Sequence, residues 1–255
     1  MRYDVRADLK DALRMLEGLR KDQIPFATAY ALTQTAKDAQ AQVEGEIKRV
    51  FDKPTPYTLK AVFVKSASKR DLTATVKLKD ESFKGVPAVR YLIYHITGGA
   101  RDRKGFEKLL IKAGVMPPQS YAIPTRAAKL DAYGNVPRGV INSILSQLQA
   151  SRDPLSRETA ASKQRQLRRK KARPSRYFVA YPGRLRTKHL KPGIYERVTF
   201  GFGGAIRPVF LFTDSPPKYR KRLPFYETIK RTVSDRLAAN FERGFSVAQA
   251  TQRPM

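Results

Sequence analysis

Between Ile24 and Phe51 the chain keeps one uninterrupted period, longer than any other segment. Leu32, Ala36, Ala39, Val43, Ile47 and Val50 recur at gaps of four, three, four, four and three, which predicts one apolar stripe along an α-helix. Pro25 suits a first helical turn, and Asp52-Lys53-Pro54-Thr55-Pro56 closes the far end. At about 1.5 Å per residue this helix runs roughly 40 Å, enough to cross a domain, so the other elements are expected to pack on it. Its alanines let neighbours come close. Gly45 either permits such an approach or loosens the helix by about 1 kcal/mol. Such a stripe is scaffold and carries no chemistry of its own.

The rest of the composition bounds what is built on that scaffold. In 255 residues, 41% hydrophobic content supports a real core. The 51 Lys and Arg against 22 Asp and Glu give a formal charge of +29, far beyond what solubility needs, so a polyanionic environment is expected. Nucleic acid comes first, an acidic protein surface second and a membrane surface third. No apolar run reaches 18 residues, so membrane insertion is not expected. The start, Met1-Arg2-Tyr3-Asp4, leads straight into a charged pattern without the features of a signal peptide. The chain has no cysteine, which removes disulfides, thiolate catalysis and Cys-based metal sites.

In chain order, Val5, Leu9, Leu13, Leu16 and Leu19 predict a first helix with Asp4 as N-cap, turning back on the long helix at Lys21-Asp22-Gln23. Leu72, Ala74, Val76 and Leu78 alternate with polar residues and predict a half-buried strand, with Leu59 to Lys65 as its hairpin partner. A short buried helix is bracketed by Pro87 and Gly98-Gly99, and another carries Phe106, Leu109 and Leu110 to Gly114. Tyr121 to Pro124 reads as extended, Asp131 to Val136 as a turn, and Pro137 opens a helix with Val140, Ile141, Ile144, Leu145 and Leu148 on one face.

From Ser151 to Lys191 there are fourteen Lys and Arg against two acidic residues, and Gln164 to Arg173 has six cations and no anion. Such density resists compaction and predicts a projecting arm or mobile loop over 151–175. Strand patterns return at Tyr177 to Tyr181, Ile194 to Phe200 and Ala205 to Phe212, separated by Pro-Gly pairs and a Gly201-Phe202-Gly203-Gly204 bend. They are expected to extend the sheet begun at Leu59. A final helix starts at Pro224 with the stripe Tyr226, Ile229, Val233, Leu237 and Phe241, and Gly244 fits a C-cap. The fold class expected is one α+β domain over 1–255. A mixed or antiparallel sheet is packed by the long N-terminal helix and the C-terminal helix, with 151–175 as a basic arm.

Little in this chain suits catalysis. His95 and His189 are the only histidines, one in an apolar helix and one in a basic loop, and their spacing gives no sign of joint reach to a phosphodiester. No EF-hand, Walker or His-rich metal pattern occurs, and no cofactor is expected. Gly98-Gly99 opening onto Arg101, Arg103 and Lys104 could hold a phosphate, or Gly98 could simply cap a helix. The stronger binding candidates are Lys163, Arg165, Arg168, Arg169, Lys170, Lys171 and Arg173, with a second cluster at Lys218, Arg220, Lys221 and Arg222. Such cations neutralise phosphates without reading sequence. Tyr177, Phe178 and Tyr181 are candidates for stacking on bases, although alternation puts at least one of them in the core.

A set of stretches resembles the minor tail proteins of tailed bacteriophages, the tail-completion group that includes the minor tail protein Z type. They are Ile24-Pro25-Phe26-Ala27-Thr28-Ala29, Ile96-Thr97-Gly98-Gly99-Ala100-Arg101, Lys129 to Asn135 with Arg138-Gly139-Val140-Ile141, and Arg207-Pro208-Val209-Phe210-Leu211-Phe212. The resemblance implies a structural virion protein at or near the junction of tail and connector, in the tail or neck after assembly and in host cytoplasm before it. It implies other tail or connector proteins as partners and no catalytic residues. A homo-oligomeric ring touching DNA or acidic walls fits the charge. The alternatives are a non-sequence-specific nucleic-acid-binding protein that accompanies packaged DNA, and a nuclease.

Overall fold

The computed structural model describes residues 1–5, 23–83, 85–152, 157, 159–168, 176–181 and 187–250. The fold is α+β, with antiparallel sheets and long helices near both ends. The chain gathers into two compact units, residues 1–99 with 219–255 and residues 100–218.

The first unit is built on the long helix, α1 (Gln23–Val50). The predicted stripe is its buried face: Leu32, Ala36, Ala39, Val43 and Ile47 are all closed to solvent. Burying each of the larger ones is worth roughly 1.5–3 kcal/mol. The short helix α2 (Pro56–Leu59) follows, opened by Thr55, whose hydroxyl accepts from the Thr58 amide. That turn takes up residues expected to start a strand.

Strands β2 (Val62–Lys65) and β3 (Ala74–Leu78) form the expected hairpin, and their apolar side lies in the same core as the stripe of α1. β1 (Arg2–Val5) completes a three-stranded sheet by pairing antiparallel with β3. Asp4 therefore does not cap a helix; its carboxylate accepts from the Thr75 hydroxyl at 2.8 Å. The rest of the predicted first helix lies outside the described residues.

α3 (Val89–Thr97) buries Leu92 and Ile96 in this core and ends at Gly98, φ +77°. The last helix, α7 (Phe225–Ala250), packs along α1. Its buried side is Phe225, Thr228, Ile229, Thr232, Asn240, Gly244 and Ala248. The predicted stripe is thus shifted: Ile229 is buried, Val233 and Leu237 are half-buried against the core, and Tyr226 is exposed. Gly244 lies inside α7 rather than capping it. A Cβ there would stand 2.7 Å from the Ala27 carbonyl oxygen, so glycine is what lets the two helices touch. Gly45, the glycine expected to serve closeness, has open space around its Cβ position.

The second unit has its own sheet, so the late strands do not extend the first one. Its order is β5 (Tyr121–Pro124), β8 (Gly203–Thr213), β7 (Gly193–Phe200) and β6 (Tyr177–Ala180), all antiparallel. Helices α4 (Gly105–Lys112) and α5 (Arg138–Gln147) contribute Leu110, Ile144 and Leu145 to a core shared with Tyr177, Ile194, Val209 and Phe210. Between β5 and α5, Asp131 accepts from the Tyr133 and Asn135 amides in the expected turn, with Gly134 at φ +76°. Within the predicted arm, Ala160–Arg168 is helical, α6. Ala, Gln, Lys, Leu and Arg are all good helix formers, and over so short a run this outweighs like-charge repulsion. Two short strands, β4 (Gly99–Ala100) and β9 (Lys218–Tyr219), pair with each other.

Candidate polyanion and partner surfaces

The predicted cations divide into those spent on the fold and those left on the surface. Arg101 belongs to the first kind. It is 6% exposed, and its two terminal nitrogens donate to the Glu107 carboxylate at 2.5 and 2.7 Å. Glu107 also accepts from the Lys104 and Ala122 amides, 2.7 and 2.9 Å. Burial pushes the Glu107 carboxyl up, but these donors together hold it below the usual range. Removing either partner of such a pair strands a buried charge, which costs about 3–5 kcal/mol. The Gly98-Gly99 bend therefore feeds a structural lock and not a phosphate cradle at Arg101. Arg103 lies over the Tyr121 ring at 4.9 Å, while Lys104 is exposed.

Arg222 is likewise engaged. Its Nε donates to His95 Nδ1 at 3.1 Å, its amide donates to the His95 carbonyl at 2.9 Å, and its guanidinium covers the Phe51 ring. His95 sits edge-on to both Phe51 and Tyr219. Burial, and then the Arg222 charge, lower its pKa to about 4. A ring held neutral, with one nitrogen already accepting, is a packing element. His189 is exposed in a turn of the second unit. Lys221 pairs with Glu227 on the surface at 2.6 Å, and Lys218 and Arg220 are exposed.

Arg165 is exposed on α6, and Lys163 and Arg168 lie on the same helix. Arg169, Lys170, Lys171 and Arg173 fall outside the described residues. Of the aromatics proposed for stacking, Tyr177 is core, Phe178 stacks on Tyr195 beneath Arg197, and the Tyr181 hydroxyl donates to the Val115 carbonyl.

Phe83 is 98% exposed in the first unit, and two further exposed phenylalanines lie together at the end of the β7–β8 hairpin. β6 pairs only with Gly193–Glu196 and β5 only with Phe210–Thr213, so the hairpin runs on beyond the sheet. From Arg197 to its end it extends about 10 Å further. Phe200 is 62% exposed and Phe202 fully so, with Ile206 also on the surface. At its root Glu196 is buried and joined to Arg176 and Arg207. Arg197 lies 4.1 Å over the Phe178 ring. These three arginines border an open cleft of about 750 Å³ with Val198, Thr199 and Ile206. The sequence held a signal for this tip: two phenylalanines in a glycine turn, where hairpin turns are ordinarily polar.

A second cleft, about 380 Å³, lies along α1 and α7 and mixes Asp38 and Asp235 with Arg231, Arg236 and Arg243. Asn240, buried beside it, donates to Thr35 and Asp38. Among the described residues no group of three His, Asp or Glu is placed to hold a metal, and no helix is long and apolar enough to cross a membrane. No family model, curated protein or solved structure matches the chain.

Proposed function

We propose that this chain is a structural protein of a tailed phage, a tail-completion component that assembles as a ring at the head–tail or tail-tube interface. The observation that supports this most is where the stretches resembling minor tail proteins fall. Each one is a joint of the scaffold. Ile24 to Ala29 supplies the Ala27 carbonyl against which Gly244 packs. Ile96 to Arg101 ends α3, forms β4 and delivers Arg101 to Glu107. Lys129 to Asn135 is the turn held by Asp131, and Arg207 to Phe212 is the middle of β8. Resemblance at folding joints speaks for a shared fold rather than for shared low complexity.

In this role the chain needs rigid packing, neighbours and few reactive groups, and no catalytic residue is assigned. His95 is committed to Arg222, which argues against the nuclease reading. Exposed Lys104, Arg165, Lys218, Arg220 and Lys221 face outward toward DNA or acidic partner proteins. A second reading, nucleic-acid binding without sequence preference, draws on charge: residues 100–218 hold 25 of the 51 Lys and Arg but 7 of the 22 acidic residues.

Deleting the coding region from the phage tests the proposal. Heads and tails are expected to accumulate unjoined, with joining restored when the chain is supplied in trans. Normal yields of infectious particles without the chain would reject it.

A further inference from the structure

We propose that the far half of the β7–β8 hairpin binds single-stranded nucleic acid, with Phe200 and Phe202 as the surfaces on which bases stack. The inference deepens the nucleic-acid reading and is independent of the tail role. Two phenylalanines two residues apart at one hairpin end, at 62% and full exposure, form an apolar patch that nothing among the described residues covers. Of the surrounding glycines, Gly201 and Gly203 have open space where a Cβ would be, Gly204 meets only the Val198 oxygen at 3.7 Å, and none has a positive φ. Glycine demanded neither by packing nor by conformation leaves a strand surface that a flat ligand can approach closely.

Charge selects the ligand. From Arg197 to Thr213 the chain carries no acidic side chain, and Glu196, the one carboxylate among the described residues lining the cleft, is already shared by Arg176 and Arg207. The arginines around it leave the root net positive, beside a cleft open to solvent. A second copy of this chain would bring the same sign of charge to that surface. Aromatic faces beside phosphate-neutralising cations are the combination that holds single strands. A free base stacked on an aromatic ring gains about 1–3 kcal/mol. Wedging the same ring into a duplex first requires a few kcal/mol to unstack a step, so the single strand is favoured.

Anisotropy of labelled single-stranded and duplex DNA of about 20 nucleotides, titrated across a salt series, tests this. The Phe200→Leu/Phe202→Leu double variant keeps the tip apolar but removes the stacking face. It is expected to bind the single strand about 10-fold more weakly than wild type, with an unchanged salt slope because no phosphate contact is lost. Phe200→Tyr/Phe202→Tyr should bind like wild type. Both substitutions lie in solvent, so circular dichroism and melting should not change. Equal single-strand affinity in the Leu variant overturns the proposal, as does a preference of wild type for the duplex. If deletion of 163–173 abolishes binding while the Leu variant is unaffected, general polyanion binding stands and the hairpin role fails. A Leu variant of lower sedimenting mass with unaltered DNA affinity makes the tip a protein interface instead.

Discussion

Nδ1 of His95 accepts from Arg222 while its ring packs against Phe51 and Tyr219, so protonation would break a hydrogen bond and set two cations side by side. The unfolded imidazole takes up its proton near pH 6.5, the folded one only near 4. Between these values the unfolded state binds more protons, so stability is full above 6.5 and is lost as pH falls toward 4. The ring is only partly buried, and solvent screening limits the loss to about 1–2 kcal/mol. Urea unfolding at the two ends of this window should show that loss, and His95→Gln should remove most of it. Undiminished stability of the wild type at the acid end would contradict the assignment. The partner of His95 was not legible in the sequence, since Arg222 lies 127 residues away. The fate of Arg101 was hidden although its partner, Glu107, is six residues away, because only burial makes the pair a lock. A cation after a glycine bend reads as a ligand for phosphate until the fold brings the Glu107 carboxylate beneath it.

Helix α1 was readable because its period is a local property: every third or fourth residue had to be apolar, whatever it met. What it met was less visible. Stripe phase on α7 depends on which side faces α1, and small polar residues such as Thr228, Thr232 and Asn240 occupy part of that side. Strand β1 owes its place to a partner some seventy residues on, and two separate sheets cannot be told from one by alternation alone. The two glycines of the helix pair give opposite predictions. Gly244→Ala would press a methyl group against the Ala27 carbonyl and the Tyr30 ring, 2.7 and 2.9 Å away, and should destabilise by about 1–3 kcal/mol. Gly45→Ala meets nothing and should stabilise by up to about 1 kcal/mol. Thermal melts of the two variants should move in opposite directions, and a neutral Gly244→Ala would contradict the close crossing.

At the scale of the whole molecule, composition announced an excess of positive charge but not where it is available. Folding buries Arg101 and ties the exposed Arg222 to His95, leaves Lys104, Arg165, Lys218 and Arg220 exposed, and presents two phenylalanines at a hairpin end that composition alone would assign to a core. Outward cations and a hairpin that runs on beyond its sheet suit the assembly role proposed above. The proposal that it works in a virion is tested most directly by image reconstruction of purified tailed-phage particles whose genome carries its coding sequence. The account predicts density for the paired α1 and α7 helices and the four-stranded sheet, repeated as a ring at the neck or in the tail. Particles that are complete and infectious, with no density for this chain at either place, would contradict it.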